Sequence, residues 1–282
     1  METRVSSATR EVIISDKQPT VLIGERINPT GKKKLAAALL AGDLDIIRQE
    51  ALEQVQAKAD ILDVNVGAAG VDESVLLPEA VQAVMDTVDV PLCIDSSKPK
   101  ALEAALKVYQ GKPLINSVTG QESSLVEVLP LVKEFNAAVI GLTMDDEGIP
   151  QTVDKRVSIA HKIVERAEAL GIPREDIIID CLNMPAAADS KAALIIIAAI
   201  RRIKAELGVN MTLGGSNVSF GMPDRNLFNG VFLAIVLEAG VTCPVVDVAK
   251  VRPAILATDA LLDRDMYMRR YILDYRERNK KR

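Results

Sequence analysis

The stretch VPLCIDSSKPKALEAALKVY, residues 90–109, holds one complete structural unit. Its first part, VPLCIDS (90–96), is a short apolar run that turns polar at its end. A tight polar turn follows. From Pro99 to Tyr109 the pattern is helical, with proline at a position that suits the first turn of a helix. A strand that is apolar on both faces belongs to a parallel sheet covered by helices.

The same unit recurs along the chain. VLIGERI (21–27) is followed by a helical segment from Lys32 to Ala59, which the Gly42-Asp43 pair divides into two pieces. ILDVNVG (61–67) precedes an amphipathic run over 73–89. PLINSVT (113–119) precedes Ser123–Phe135, and AAVIGLTM (137–144) precedes Val153–Leu170. IIIDCLN (177–183) precedes Ser190–Leu207, and MTLGGSN (211–217) precedes Arg225–Ala239. CPVVDVA (243–249) precedes a last helix from Pro253 into the tail.

Alternating strand and helix units imply an α/β protein with a parallel sheet. Eight of them in one chain predict a (β/α)8 TIM barrel. A doubly wound open sheet usually has fewer strands and a GxGxxG turn after the first, which is absent here. No linker stands out, so the expected organisation is a polar arm over residues 1–20 and one barrel domain over 21–282.

Composition narrows the function. Of 282 residues, 49% are apolar and the net charge is -5, which describes a globular chain with no basic surface for nucleic acid. The longest apolar run, AALIIIAAI (192–200), is too short to cross a bilayer and reads as a buried helix, and as the candidate for a dimer surface. The N-terminus lacks the apolar core of a signal peptide, so a cytoplasmic protein is expected. Cys93, Cys181 and Cys243 lie far apart in strand-like runs, and the one histidine, His161, sits in a helical pattern. Three buried free thiols and no metal site are expected. The C-terminal RERNKKR reads as a solvated helix end.

The strands begin apolar and end polar. Strand one ends in Gly24-Glu25-Arg26-Ile27-Asn28. Strand two carries Asp63 and Asn65 on one face, because side chains alternate. Asp95 with Ser96-Ser97, Asn116, Asp180 with Asn183, Ser216-Asn217, and Asp247 follow on later strands. In a barrel these ends ring one mouth, where such folds do their chemistry. Ser96, Ser97 and Thr119 can be simple helix caps. Asp95, Asn116, Asp180 and Asn217 come from four strands and converge. Carboxylates and amides, with neither histidine nor aromatic cage, suit a neutral heterocycle rich in hydrogen-bond donors, such as the edge of a pterin.

At these positions the chain resembles the pterin-binding methyltransferase family, and within it the methyltetrahydrofolate:corrinoid protein methyltransferases. The resemblance rests on GERINPTG (24–31), LDVNVG (62–67), CIDSS (93–97), INS (115–117), IGLTMDDEGIP (140–150), IIDCLNMPA (178–186) and GGSNVS (214–219), in family order. The folate-binding module of cobalamin-dependent methionine synthase is similar too. The resemblance implies a TIM barrel, commonly homodimeric, that binds tetrahydrofolate or 5-methyltetrahydrofolate at its mouth. Asp95, Asn116 and Asp180 would hold the pterin edge, with Gly214 and Ser216 lining the pocket and Asn65 and Arg225 beside it. Asn217 would be the catalytic residue, hydrogen-bonded to N5, the atom that carries the methyl group. The methyl group would pass between N5 and the cobalt of a corrinoid (cobalamin) brought by a corrinoid protein, because His161 lies in no cobalt-ligating motif. Two alternatives compete: a dihydropteroate synthase-like enzyme, and a folate-binding protein without catalysis. The last strand, VVDVAKVRP, lacks the histidine element that a synthase needs.

Overall fold

A computed structural model describes residues 1–189 and 191–280. The expected start of one helix at Ser190 and the last two residues of the basic tail, 281 and 282, lie outside them. Ten strands and ten helices follow one another among the described residues: β1 Thr3–Ser6, β2 Glu11–Ile14, β3 Ile23–Ile27, α1 Lys33–Leu40, α2 Asp45–Gln56, β4 Ile61–Asn65, α3 Glu73–Met85, β5 Leu92–Asp95, α4 Pro99–Val108, β6 Leu114–Thr119, α5 Glu122–Glu134, β7 Ala138–Leu142, α6 Val153–Ala169, β8 Ile177–Asp180, α7 Ala192–Leu207, β9 Asn210–Thr212, α8 Arg225–Ala239, β10 Val245–Val246, α9 Val248–Leu261 and α10 Arg269–Lys280. The break between α1 and α2 falls at Gly42, whose φ of +69° suits glycine.

Eight strands form one parallel sheet in the order β10-β3-β4-β5-β6-β7-β8-β9. Its two edges meet. Val245 N–H donates to Leu213 O and Gly215 N–H to Val245 O, both at 2.9 Å, next to the Gly214–Val245 bridge. The sheet is therefore the eight-stranded barrel that the alternation predicts.

Two apolar layers hold it. Between strands and helices, residues such as Leu62, Val64, Ile94, Ile115, Val139 and Ile179 pack against helix residues such as Leu77, Leu102, Leu129, Ile163 and Ile200. Inside the barrel the opposite faces of the strands meet: Ile23, Ile61, Cys93, Leu114, Ala138, Ile140, Ile178 and Cys243 form a second core. Both faces are dry, so the strands read as continuous apolar runs.

The first residues are more structured than a polar arm. β1 and β2 pair antiparallel as a hairpin, and their Val5, Val12 and Ile14 join the core inside the barrel. Asn210, at the start of β9, donates to Thr3 Oγ1 and to Ile14 O, each at 2.9 Å. The hairpin thus plugs the N-terminal end of the barrel and leaves the other end open for chemistry. The last unit also differs from expectation. β10 is only Val245–Val246, and α9 starts at Val248 with Pro253 inside it. Burial of Val248, Val251, Ile255 and Leu256 on one side outweighs the backbone hydrogen bond that an internal proline forfeits.

The cysteines are buried and free, and His161 lies on α6 with Nε2 2.7 Å from Glu206 Oε2 on α7, a surface pair between neighbouring helices. No helix among the described residues is long and apolar enough to cross a membrane.

Candidate active site

Climbing five of the eight strands along their inward faces, the side chains change from apolar to polar. Ile23 gives way to Glu25, Ile61 to Asp63 and Asn65, Cys93 to Asp95, Leu114 to Asn116, and Ile178 to Asp180. The pleat places residues two apart on the same side. Register aligns them across strands: Asn65 pairs with Asp95 and Asp95 with Asn116, so three polar groups stand at one height on β4, β5 and β6. Asp180 stands on β8, level with Leu142 on β7 and Thr212 on β9.

The floor of this ring is Asp63, which is buried. Its Oδ1 accepts a hydrogen bond from Asn116 Nδ2 at 3.1 Å. Burial first, and then the charge of Asp95, push its carboxyl well above the usual carboxylate range, while the Asn116 amide works against the shift. Asp95, one layer higher, is pushed up to about 6 by burial, opposed by the Asn65 amide. Asp180 is pushed up to about 7, again chiefly by burial. Its Oδ1 accepts from Leu182 N–H at 2.6 Å, and the Arg156 guanidinium nearby pulls the other way. Such perturbed carboxyls gathered at one end of the barrel mark a candidate functional site. The ring residues themselves, Asn65, Asp95, Asn116 and Asp180, accept and donate hydrogen bonds without carrying positive charge.

Of the remaining candidates, Asn65 accepts from Gly67 N–H at 2.8 Å through Oδ1 and sits half-buried beside Asp95. Ser96 and Thr119 serve local turns. Ser96 Oγ accepts from Lys98 N–H and donates to the buried Glu73, and Thr119 Oγ1 accepts from Gln121 N–H. Asn183 lies behind Asp180 and reaches Gly214 O through Nδ2 at 3.4 Å.

The rim on the β9 side is a short helical turn, Asn217–Ser219, that follows Gly214-Gly215. Asn217 is exposed and its amide folds over Gly214: a methyl group added at Gly214 would lie 3.3 Å from Asn217 Nδ2. Gly215 faces the other way. A methyl group there would meet Val246 Cγ1 at 2.8 Å and Leu233 Cδ2 at 2.9 Å. The two glycines thus answer different needs, an open mouth and a close strand-to-helix contact.

Arg225, the first residue of α8, does not enter the ring. Its Nη2 donates to Ser216 O and its Nε to Ser219 Oγ, both at 3.0 Å, and its guanidinium covers the Phe220 ring at 5.5 Å. It clamps the turn that carries Asn217. Ser216 Oγ donates to Glu25 Oε1 at 2.5 Å, across the barrel seam. Glu25 and Asp63 are the site groups that sequence reasoning left out of its binding set. The signal for both is parity, since each stands two residues above an inward apolar residue of its own strand.

This geometry agrees with what comparison finds. Residues 24–247 match the family of pterin binding enzymes, and the chain belongs to that family. It is 33% identical over 265 residues to the methylcorrinoid:tetrahydrofolate methyltransferase of Eubacterium limosum, covering 91% of this chain and 96% of that protein. It is 34% identical over 266 residues to the methionine synthase of Mycobacterium leprae, covering 89% of this chain but 22% of that longer protein. Among solved structures, dihydropteroate synthases of Yersinia pestis (TM-score 0.69, 17% identity, 93% of this chain and 99% of that one) and Thermus thermophilus (TM-score 0.65, 23% identity, 92% and 99%) share the fold.

Proposed function

We propose that this enzyme moves a methyl group between N5 of 5-methyltetrahydrofolate and the cobalt of a corrinoid carried by a separate protein. The observation that carries the reading is the pairing of two features at one mouth. A recessed ring of Asp95, Asn116 and Asp180 suits a flat heterocycle, and the free amide of Asn217 stands at the rim above Gly214. The similarity to the Eubacterium limosum methyltransferase over nearly its whole length supports it.

In this reading Asp95 and Asp180 bind as carboxylates. Each accepts N–H donors of the pterin edge, and Asn116, braced by Asp63, matches an adjacent donor and acceptor. The open backbone at Gly214 admits the ring. When the bond between N5 and the methyl carbon breaks, its electron pair stays on nitrogen and a proton must reach N5. Asn217 donates a hydrogen bond that strengthens as this charge develops, which favours the transition state over bound substrate. An amide does not titrate, so the proton comes from solvent or from water near the carboxyl groups. The corrinoid is a substrate here, supplying the nucleophile or, in the reverse direction, the methyl group.

The same reading has the protein working in the cytoplasm as a homodimer. Leu227, Val231 and Ile235, four residues apart along α8, are exposed next to the exposed Leu194 of α7, an apolar strip that a second copy can cover.

The test is methyl exchange between 5-methyltetrahydrofolate and cob(I)alamin, followed by the visible spectrum of the corrinoid and run in both directions. Exchange is expected both ways. Tight folate binding without exchange would instead identify a non-catalytic folate protein.

A further inference from the structure

The turn that carries Asn217 is tied down at several points. Arg225 holds it from α8, and Ala186 N–H donates to Val218 O at 2.9 Å from the segment after β8. A further contact comes from across the barrel seam, beyond β10. It is a side chain to side chain bond from Ser216 Oγ to Glu25 Oε1 at 2.5 Å, between a residue adjacent to Asn217 and a half-buried carboxyl on β3.

Glu25 is set for this task. Gly24, just before it, has no room for a side chain: an added methyl group would lie 2.4 Å from Gln54 Oε1, which also accepts from Arg26 N–H at 2.9 Å. The β3 backbone is thereby fixed on both sides of Glu25. Arg26 is engaged outside the barrel by Glu50 and Glu53, so it is not the partner of Glu25. The charged groups around the Glu25 carboxyl are Asp247 and Lys250 from the β10 side, Lys32 from the loop after β3, and the buried Asp63 on β4. Lys250 pairs with Asp247 at 2.6 Å, and Lys32 caps Arg26 O at 2.6 Å, so Ser216 remains as its direct hydrogen-bond partner among the described residues.

From this geometry we infer that Glu25 is a positioning residue for methyl transfer: through Ser216 it fixes the turn that aims the Asn217 amide. The inference rests on the role proposed for Asn217. It adds to that role a requirement that the amide be held in place from the β3 side of the barrel seam. Holding a group at reacting geometry is worth large factors in rate, and a displacement of about 1 Å can cost on the order of 100-fold.

The experiment is a double-mutant cycle on Glu25→Ala and Ser216→Ala, with Glu25→Gln as the conservative variant. Methyl exchange rates and folate dissociation constants are measured separately for each. Each alanine variant is expected to lower kcat by about 10- to 100-fold and to change folate affinity less than threefold. The double variant is expected to be no worse than the poorer single one, since both remove one bond. Glu25→Gln keeps an acceptor for Ser216 and is expected to retain most of the rate. If Glu25→Ala does not fold, Ser216→Ala against Glu25→Gln tests the same bond. Multiplying losses, or a loss confined to folate affinity, or unchanged rates, overturn the inference while wild-type exchange leaves the proposed function standing. Wild-type protein that binds folate but exchanges no methyl group overturns that function and the role of Glu25 with it.

Discussion

Asn116 on β6 donates through Nδ2 to Oδ1 of Asp63 on β4, 3.1 Å away across the intervening strand β5. The bond spends one of the amide's donors downward and leaves its oxygen and second N–H for the mouth. It also gives a buried carboxyl a partner that it needs, because an unpaired polar group in a dry interior costs about 1–3 kcal/mol.

Two substitutions at Asp63 therefore separate. The environment already favours the protonated, neutral form of this carboxyl, so Asp63→Asn replaces it with a near isostere that still accepts from Asn116. Asp63→Ala leaves Asn116 without its brace and opens a void. Thermal unfolding is expected to show little change for the first and about 1–3 kcal/mol of destabilisation for the second. Folate affinity is expected to fall only for the second. Equal damage from both would mean that the charge, and not the acceptor, is what the site uses.

Folate affinity should depend on pH in a defined direction. In the free protein Asp95 and Asp180 hold protons up to about 6 and about 7. In the proposed binding mode they meet N–H donors as carboxylates, so binding below those values is expected to release protons. The dissociation constant is expected to be flat above about pH 7.5 and to rise as pH falls through about 7 and then about 6, the values at which the two groups take up protons. Calorimetry in buffers of different ionisation enthalpy checks it: proton release near pH 6 that disappears by about pH 8. Proton uptake on binding under the acidic condition would reverse the assignment.

Asp180 also makes a stability prediction. Its folded pKa, about 7, lies above the ordinary value of 3.8. The folded state therefore favours the proton, and the stability it gains from this is full below about pH 4 and lost as pH rises to about 7. Asp180→Asn removes that dependence. The variant is expected to match wild type at low pH and to exceed it above about pH 7 by on the order of 2–4 kcal/mol, while folate binding is weakened. Denaturant titrations at about pH 4 and about pH 8 measure it. A variant less stable than wild type under the alkaline condition would show that the Leu182 hydrogen bond outweighs the cost of burying the charge.

Asn217 is expected to separate rate from binding. Its side chain is exposed at the rim and makes no side-chain hydrogen bond among the described residues, so Asn217→Ala removes little from the resting fold. The loss of an oxyanion-type donor costs about 100- to 1000-fold in kcat, and folate affinity is expected to change far less. Single-turnover exchange against equilibrium folate binding shows the split. Equal loss in both would assign Asn217 to ground-state binding.

Much of this was legible in the sequence, for identifiable reasons. Barrel strands are dry on both faces and their helices are amphipathic, so the period of the pattern announces each unit. Asp95, Asn116 and Asp180 stand out because a polar residue ends an apolar run. Glu25 is harder to see, because its value comes from Ser216, 191 residues later. The N-terminal hairpin is hidden by its polar neighbours: only Val5, Val12 and Ile14 mark it, and what they cover is the barrel interior. The length of β10 is invisible for the same reason, since closure against Leu213 and Gly215 decides it and not its own residues.

Gly214 and Gly215 provide the sharpest contrast, because adjacent residues predict different failures. In Gly215→Ala the new methyl group meets Val246 at 2.8 Å and Leu233 at 2.9 Å. Both are buried where β10 and α8 pack, so overpacking is expected to cost about 1–3 kcal/mol of stability. The active site feels that only through the strand end. In Gly214→Ala the methyl group points at the Asn217 amide, 3.3 Å away, the tip of an exposed side chain that can rotate aside on its fixed turn. Unfolding is expected to be close to wild type, while methyl exchange falls because the amide moves and the pterin loses its open face. Denaturation and exchange assays on the two variants together decide it. A stable, active Gly215→Ala beside an unfolded Gly214→Ala would mean that the faces of this strand end are reversed.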